Sequence, residues 1–202
     1  MSSAVKIYQE KTIEAMGHME RKVKKELIDG IWYMSPTAGI YHGIVVGNLQ
    51  KIFGPKLWGR GCLTFSENLE VYYNNDNNYV IPDFAIVCNR NFFKDRGVDT
   101  APDFVVEVLS PTSAKRDKTI KKAKYEMLGV KEFWLISVGD RSVEVYLLVD
   151  VKYELANVYA VPYDWQIERM DEAELAEIVY IFNMSVFDGL EVDVRDVFEN
   201  LE

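Results

Sequence analysis

Apolar and polar positions along this chain alternate in strand-like and helix-like patterns, with no internal repeat or low-complexity linker between them. Three apolar runs predict strands: "LTFSENLEVYY", "YVIPDFAIVCN" and "DFVVEVLS". Two later runs, "EFWLISV" and "SVEVYLLV", are separated by a short turn and predict a β-hairpin.

The other patterns predict helices and one tight turn. Residues 10–28 have helical character with charge throughout, and residues 42–58 place apolar side chains at roughly helical intervals. The clearest helix is "SPTSAKRDKTIKKAKYEMLGV", which a Ser/Thr cap candidate opens and Gly129 closes. Asp-Gly within "ELIDGIWYMSP" predicts a β-hairpin.

The order of these elements predicts an α/β fold. The strand–helix–strand order around the clearest helix favours a parallel βαβ crossover, and the other strand pairs favour antiparallel pairing. We therefore expect a mixed sheet flanked by helices, in a single domain over residues 1–202.

Composition limits the classes of function. The formal net charge is −9, which argues against broad non-specific binding of nucleic acid but leaves room for a local basic patch. We expect no signal peptide or membrane span, and a cytoplasmic protein. Cys62 and Cys88 lie in apolar sequence, so buried thiols are favoured over a disulfide.

Two acids stand in the middle of neighbouring strand-like runs. Asp83 follows Pro82, and Glu107 lies 24 residues further on in an otherwise apolar run. If the two strands pair, both carboxylates point to one side of the sheet, where they repel each other unless a cation lies between them. Mg²⁺ suits such oxygen ligands, and the carbonyl of Val108 offers a third. The alternative is a pair of solvated acids on a sheet face.

The clearest helix offers two lysines to this acid pair. A helical wheel marks Ile120, Ala123 and Met127 as its buried face, with Lys121 on the border and Lys124 nearer still. Either lysine could orient a water molecule or stabilise charge on a phosphate. A solvated lysine stripe is the alternative.

These residues resemble a known family. "IPDFAIV" and the segment from "APDFVVEVLS" to "DRSVEVY" are similar to the Uma-type restriction endonucleases of the PD-(D/E)XK nuclease superfamily, and the similarity extends over residues 22–198. The resemblance implies a restriction endonuclease-like fold with an αβββαβ core, which presents an Asp, a Glu and a Lys to Mg²⁺ and a phosphodiester.

Position by position, the resemblance assigns catalysis to Asp83, Glu107 and Lys121. The lysine that usually stands two residues after the second acid is absent, because Leu109 occupies that position, and the family pattern aligns Lys121, rather than Lys124, as its replacement. Glu26 and His42 also match the pattern and are further candidates. For Glu26 the alternative is a surface acid, and for His42 it is a helix cap.

The sequence thus predicts a Mg²⁺-dependent endonuclease acting on DNA, with Mn²⁺ as a possible substitute. Cutting both strands of a duplex favours a homodimer. Two alternatives stay open: an inactive nuclease fold that serves as an interaction module, and a hydrolase of small phosphate esters. Net acidity and the absent strand lysine favour the first alternative.

Overall fold

The computed structural model describes residues 24–35, 38–74 and 77–201, and within them the strands form three sheets. One sheet has the strand order β2-β1-β5-β4-β7, another β11-β10-β9-β8-β6-β3, and a third pairs β12 with β13. The strands are β1 Lys24–Ile28, β2 Ile31–Ser35, β3 Leu63–Ser66, β4 Glu70–Tyr73, β5 Asn78–Val80, β6 Phe84–Val87, β7 Gly97–Val98, β8 Phe104–Leu109, β9 Glu132–Ser137, β10 Ser142–Val149, β11 Lys152–Ala160, β12 Ile181–Asn183 and β13 Glu191–Asp193.

Two helices flank the six-stranded sheet. Helix α1 spans Ile40–Leu57, and helix α2 spans residues 114–128. Helix α2 begins with Ala114–Arg116, continues through a π-helical turn at Asp117–Lys121, and ends with Lys122–Leu128 before Gly129, whose φ is +87°. Short helical segments complete the chain: Arg90–Phe92, α3 Asp164–Ile167, α4 Glu172–Ala176 and α5 Val194–Val197.

The predicted αβββαβ core is confirmed. Along the chain α1 is followed by β3, β6 and β8, then by α2 and β9, and these four strands are neighbours in one sheet. Strands β8 and β9 run parallel, as a βαβ crossover requires, whereas β6 pairs antiparallel with both β8 and β3. The sheet is therefore mixed, as predicted.

Alternation along the central strands divides the core into two layers. Side chains such as Phe84 and Val106 pack against α1 and the C-terminal segment. Ala85 and Val105 face the other way, towards the five-stranded sheet and Tyr125 of α2. Glu107 has the same parity as Val105, so its carboxylate belongs to the second layer, between the two sheets.

The predicted hairpin at Asp29–Gly30 is confirmed, but the helix predicted over residues 10–28 is wrong at its end. Residues 24–28 form β1, which pairs with β2 so that Ile28 faces Ile31 across a two-residue turn. Asp29 and Gly30 both have positive φ, as such a turn requires. Cross-strand pairing here outweighs the helical pattern. Residues 10–23 lie outside the described residues.

The free-thiol prediction for Cys62 and Cys88 is also wrong, because the two form a disulfide with Cα atoms 3.9 Å apart. In the antiparallel pair of β3 and β6, Leu63 faces Val87. Cys62 directly precedes Leu63 and Cys88 directly follows Val87, so the register of β3 and β6 places the two cysteines opposite each other at the end of the strand pair. Among the described residues, no helix is long and apolar enough to cross a membrane.

Candidate active site

Asp83 lies at the corner between the two large sheets. The predicted strand "YVIPDFAIVCN" is interrupted at Pro82 and Asp83, so that β5 joins one sheet and β6 the other. Proline cannot donate a ladder hydrogen bond, which favours such a break. The break leaves Asp83 just before β6, beside β8, whose Val106 faces Phe84.

Two cationic or potentially cationic side chains and one backbone amide contact the Asp83 carboxylate. Lys24 Nζ lies 2.8 Å from Oδ1, and His42 Nε2 lies 3.1 Å from Oδ2. The Val108 N–H donates to Oδ2 at 2.9 Å. Burial alone would raise the pKa of Asp83, but Lys24, His42 and Lys121 together hold this pKa well below its usual value.

Glu107 is fully buried in an otherwise apolar strand, and its carboxylate is accommodated there because it lies beside Lys121. Lys121 Nζ is 2.5 Å from Glu107 Oε1, and the Tyr125 hydroxyl donates to the same oxygen at 2.6 Å. Burial raises the pKa of Glu107 well above its usual value; the Lys121 charge opposes this rise, while the charges of Asp83 and Asp117 add to it.

Lys121 is fully buried as well, and it joins two carboxylates. Its Nζ lies 3.2 Å from Glu26 Oε1 and donates to the Ile81 carbonyl at 2.8 Å. Burial would lower the pKa of Lys121, but the charges of Glu107 and Glu26 raise it above its usual value. The side chain therefore stays an ammonium ion.

The buried face predicted for helix α2 is wrong. Asp117, Lys121 and Tyr125 are buried, whereas Ala123 and Met127 are exposed and Ile120 is only half-buried. The π-helical turn places Asp117 and Lys121 on one buried side, where Lys121 pairs with Glu26 and Glu107. Lys124, the rival lysine, instead pairs with exposed Asp29 at 2.7 Å.

Glu26 is not the surface acid that the sequence allowed. Its side chain is fully buried in β1, where it accepts a hydrogen bond from the Ile81 N–H at 2.8 Å and lies 3.7 Å from the Arg116 guanidinium. Burial opposes ionisation, but Lys121, Lys24, the Ile81 N–H and Arg116 lower the pKa of Glu26 below its usual value.

His42 is not a helix cap either. It is the third residue of α1, and the cap position is taken by Gly39. The structure thus brings all five predicted site residues into one ion network, in which Glu26 and Glu107 contact Lys121 and His42 contacts Asp83.

Four further residues of this network had no assigned role in the sequence prediction: Lys24, Glu67, Arg116 and Tyr125. For Lys24 a signal existed, because Lys24, Glu26 and Ile28 alternate along one strand and therefore share a face. Tyr125 stands one further step along the row of Asp117 and Lys121. Glu67 carries no such signal, since it lies in the turn between β3 and β4.

These groups line a cleft of about 980 Å³ between the two large sheets and the start of α1. Its walls carry five basic side chains and five acidic ones. The basic residues are Lys24, Lys25, Arg96, Arg116 and Lys121. The acidic residues are Glu67, Glu70, Asp83, Glu107 and Asp117. The formal charges of these cleft residues thus balance, in a protein whose formal charge is −9, so an anion meets less repulsion there than the net charge suggests.

The donor set fits a hard divalent cation. Asp83 directly precedes β6, and Glu107 lies on the neighbouring strand β8. Both residues line the cleft, and the Asp83 charge contributes to the raised pKa of Glu107. A cation held by both oxygens would relieve that repulsion. The Val108 amide contacts Asp83, so the backbone of Val108 also lies beside this position.

Acid should weaken the contribution of Asp83 to stability. A carboxylate with a lowered folded pKa stabilises above its unfolded pKa and loses that effect as pH falls through the folded pKa. Asp83→Asn should therefore lower the unfolding free energy by about 1.5–3 kcal/mol at pH 7, the range for a charged hydrogen bond, and the difference should shrink from about pH 5 downwards. Urea unfolding at several pH values measures it.

Asp150→Asn provides the control, because Asp150 lies on the exposed turn between β10 and β11. Its effect should stay within about 0.5 kcal/mol at every pH. A difference for Asp83→Asn that grows towards low pH would contradict the lowered pKa.

Comparison with known proteins agrees with this architecture. The model of the Uma2 family, described as "Putative restriction endonuclease", matches residues 11–176. A crystal structure from Anabaena variabilis, of "a putative nuclease belonging to DUF820", superposes with a TM-score of 0.59 at 20% identity, covering 86% of this chain and 89% of that one. At this identity the likeness concerns the fold.

A curated relative adds sequence similarity without a function. An uncharacterized protein of Synechocystis sp. (strain ATCC 27184 / PCC 6803 / Kazusa) is 29% identical over 127 residues. The match covers 63% of this chain and 66% of that protein, slightly less than two thirds of its length.

Proposed function

Since the chain belongs to the Uma2 family, described as "Putative restriction endonuclease", we propose that it is a Mg²⁺-dependent endonuclease that hydrolyses phosphodiester bonds of DNA. Family membership supports a nuclease function; the metal and the substrate are our inference. The observation that carries the proposal is the convergence of Asp83, Glu107 and Lys121 on one cleft.

Each residue has a role that follows from its contacts. A divalent cation held by Asp83, Glu107 and the Val108 carbonyl would activate water and polarise the phosphate. Lys121 holds Glu107 in place at 2.5 Å and offsets negative charge that develops on the phosphate. Glu26 and the Ile81 carbonyl in turn fix the lysine, so that its position is set before a substrate arrives.

The proposed site for a polyanionic substrate is this cleft, whose basic side chains balance its acidic ones. Lys25 and Arg96 line its walls outside the buried ion network and can contact phosphates on either side of the cut. Because such contacts are few, we expect modest affinity that weakens with salt. A hydrolase of small esters would show much less salt dependence.

The homodimer stays a prediction, as does the cytoplasmic location. We propose "IWYM" and "VYAVPYDW" as the segments in contact, because both present exposed apolar side chains, among them Ile31, Met34 and Trp165.

The direct test is nicking of plasmid DNA with Mg²⁺ or Mn²⁺ by the parent, Asp83→Asn and Glu107→Gln. The parent should cleave, and each variant should lose at least about 10²-fold in rate, because each removes one charged group from the transition-state surroundings. Thermal melting with and without Mg²⁺ gives a second readout, since an ion that binds only the folded state raises the melting temperature.

Glu144→Gln is the matched control. Glu144 lies on β10, pairs with Lys118 at 3.0 Å and does not line the cleft. It should cleave and respond to Mg²⁺ like the parent. A parent that cleaves no DNA with either ion would remove the endonuclease proposal in favour of an interaction module.

A further inference from the structure

A second group of metal-ligating side chains lies on the other side of Asp83. His42, Glu67 and Asp83 each offer one ligand atom, and these three atoms lie within 4.8 Å of one another. Neither His42 nor Glu67 takes part in the catalytic step proposed above. From this group we infer a binding site for a divalent transition-metal ion, which shares Asp83 with the Asp83–Glu107 position but has His42 and Glu67 as its other ligands.

An unpaired nitrogen supports the site. His42 Nδ1 is buried, and among the described residues it has no hydrogen-bond partner. Burying a polar atom without a partner is unfavourable, so an unpaired one requires an explanation. Glu67 Oε1 lies 4.0 Å from this nitrogen, which is too far for a hydrogen bond.

The spacing suits a shared ion. Two ligand atoms bonded to one tetrahedral ion at 2.0–2.2 Å are separated by roughly 3.5 Å. With one ligand atom from each residue, the three atoms of His42, Glu67 and Asp83 lie within 4.8 Å of one another, so they must approach by roughly 1 Å to bind one ion. The Glu67 side chain is partly exposed and can move towards the other two ligands.

The backbone holds two of the ligands together. The Glu67 N–H donates to the Asp83 carbonyl at 3.0 Å, which fixes the turn after β3 against the corner where Asp83 lies. His42 enters from the first turn of α1, a different element. Three separate segments of the chain therefore converge on the site.

The ligand set predicts which ion binds. Mg²⁺ prefers oxygen ligands, whereas imidazole favours transition metals, and carboxylates are accepted by Mn²⁺ and Zn²⁺. We expect Mn²⁺ and Zn²⁺ to bind here at least about tenfold more tightly than Mg²⁺. Lys24 competes for Asp83 from the other oxygen, at 2.8 Å, so Lys24→Met should strengthen Mn²⁺ binding.

The test measures Mn²⁺ binding to the full chain. Calorimetry gives the affinity, and pulsed electron paramagnetic resonance detects a nitrogen ligand directly. The parent should show coupling to one imidazole nitrogen. His42→Gln should abolish that coupling, and Glu67→Gln should weaken binding by roughly 10- to 100-fold. Since the Glu67 side chain is partly exposed, this variant should fold like the parent, which circular dichroism checks.

Glu107→Gln separates this site from the proposed catalytic one. It should leave the nitrogen coupling in place while abolishing cleavage. A parent that cleaves DNA but binds Mn²⁺ through oxygen alone, or a Glu67→Gln variant that binds as the parent does, would overturn the site and leave the proposed function standing. Nitrogen coupling in a parent that never cleaves DNA would support the metal site and overturn the proposed function.

Discussion

Replacing Lys121 by methionine is expected to lower Mg²⁺-dependent nicking of plasmid DNA by roughly 10²–10³-fold, the scale for losing one charge-stabilising group. The ammonium ion lies 2.5 Å from Glu107 and 3.2 Å from Glu26, so the substitution removes both the positive charge and the group that positions Glu107. Affinity for DNA should fall far less, because one buried lysine adds little to the total of phosphate contacts.

Lys124→Met is the matched control, since Lys124 lies on the same helix and pairs with exposed Asp29 outside the cleft. Its nicking rate should stay within about threefold of the parent. Rates are compared per folded molecule, at a temperature where both variants are folded. If Lys124→Met loses activity and Lys121→Met keeps it, the assignment of the lysine is wrong by almost one helical turn.

Much of the fold follows from local patterns. The hairpin at Asp29–Gly30, the βαβ crossover around α2 and the strands β8 to β10 all have apolar periodicity or turn residues that match the observed elements. Each of these signals is carried by residues near one another in sequence. The family resemblance supplied the remaining order of the core.

The prediction was wrong where distant pairing decides the structure. Residues 24–28 join a sheet through β2 and β5, although the sequence before them has helical character. The runs containing Ser66 and Asp83 each split between two sheets, which no local periodicity reveals. The cysteines are 26 residues apart, and only the register of β3 and β6 brings them together.

The candidate site likewise divides into residues that local patterns indicate and residues that they do not. Asp83 and Glu107 stand out because acids interrupt apolar strands. Lys121 was identified by resemblance, whereas the helical wheel favoured Lys124 equally. Hydrophobicity fails on this helix because its buried face is charged and is neutralised by partners on β1 and β8. A helical wheel assumes that buried positions are apolar, and in this buried ion network that assumption does not hold.

Lys121→Met should also cost about 3–5 kcal/mol of unfolding free energy at pH 7, the range for removing one partner of a buried ion pair. Glu26 and Glu107 are both fully buried, and without the ammonium ion neither has a comparable compensating charge at hydrogen-bond distance within the part of the chain that the structure describes. Lys124→Met should cost less than about 1 kcal/mol, because its partner Asp29 is largely exposed. Urea unfolding compares the two variants.

The cost of Lys121→Met should depend on pH with a definite sign. Without Lys121, burial raises the folded pKa of Glu107 further above its unfolded value. A carboxyl group with a raised folded pKa stabilises the fold below its unfolded pKa and loses this effect as pH rises through the folded pKa. The destabilisation by Lys121→Met should therefore be largest near pH 8 and shrink towards about pH 4.

A second substitution tests the cause of that cost. Glu107→Gln in the Lys121→Met background removes a buried charge but keeps an oxygen that can accept the Tyr125 hydroxyl hydrogen bond. It should restore a large part of the lost stability and flatten the pH dependence, because a neutral amide needs no ammonium partner. If the double variant is as unstable as Lys121→Met at every pH, the cost arises from lost packing of the lysine stem, and Glu107 is not the charge that Lys121 neutralises.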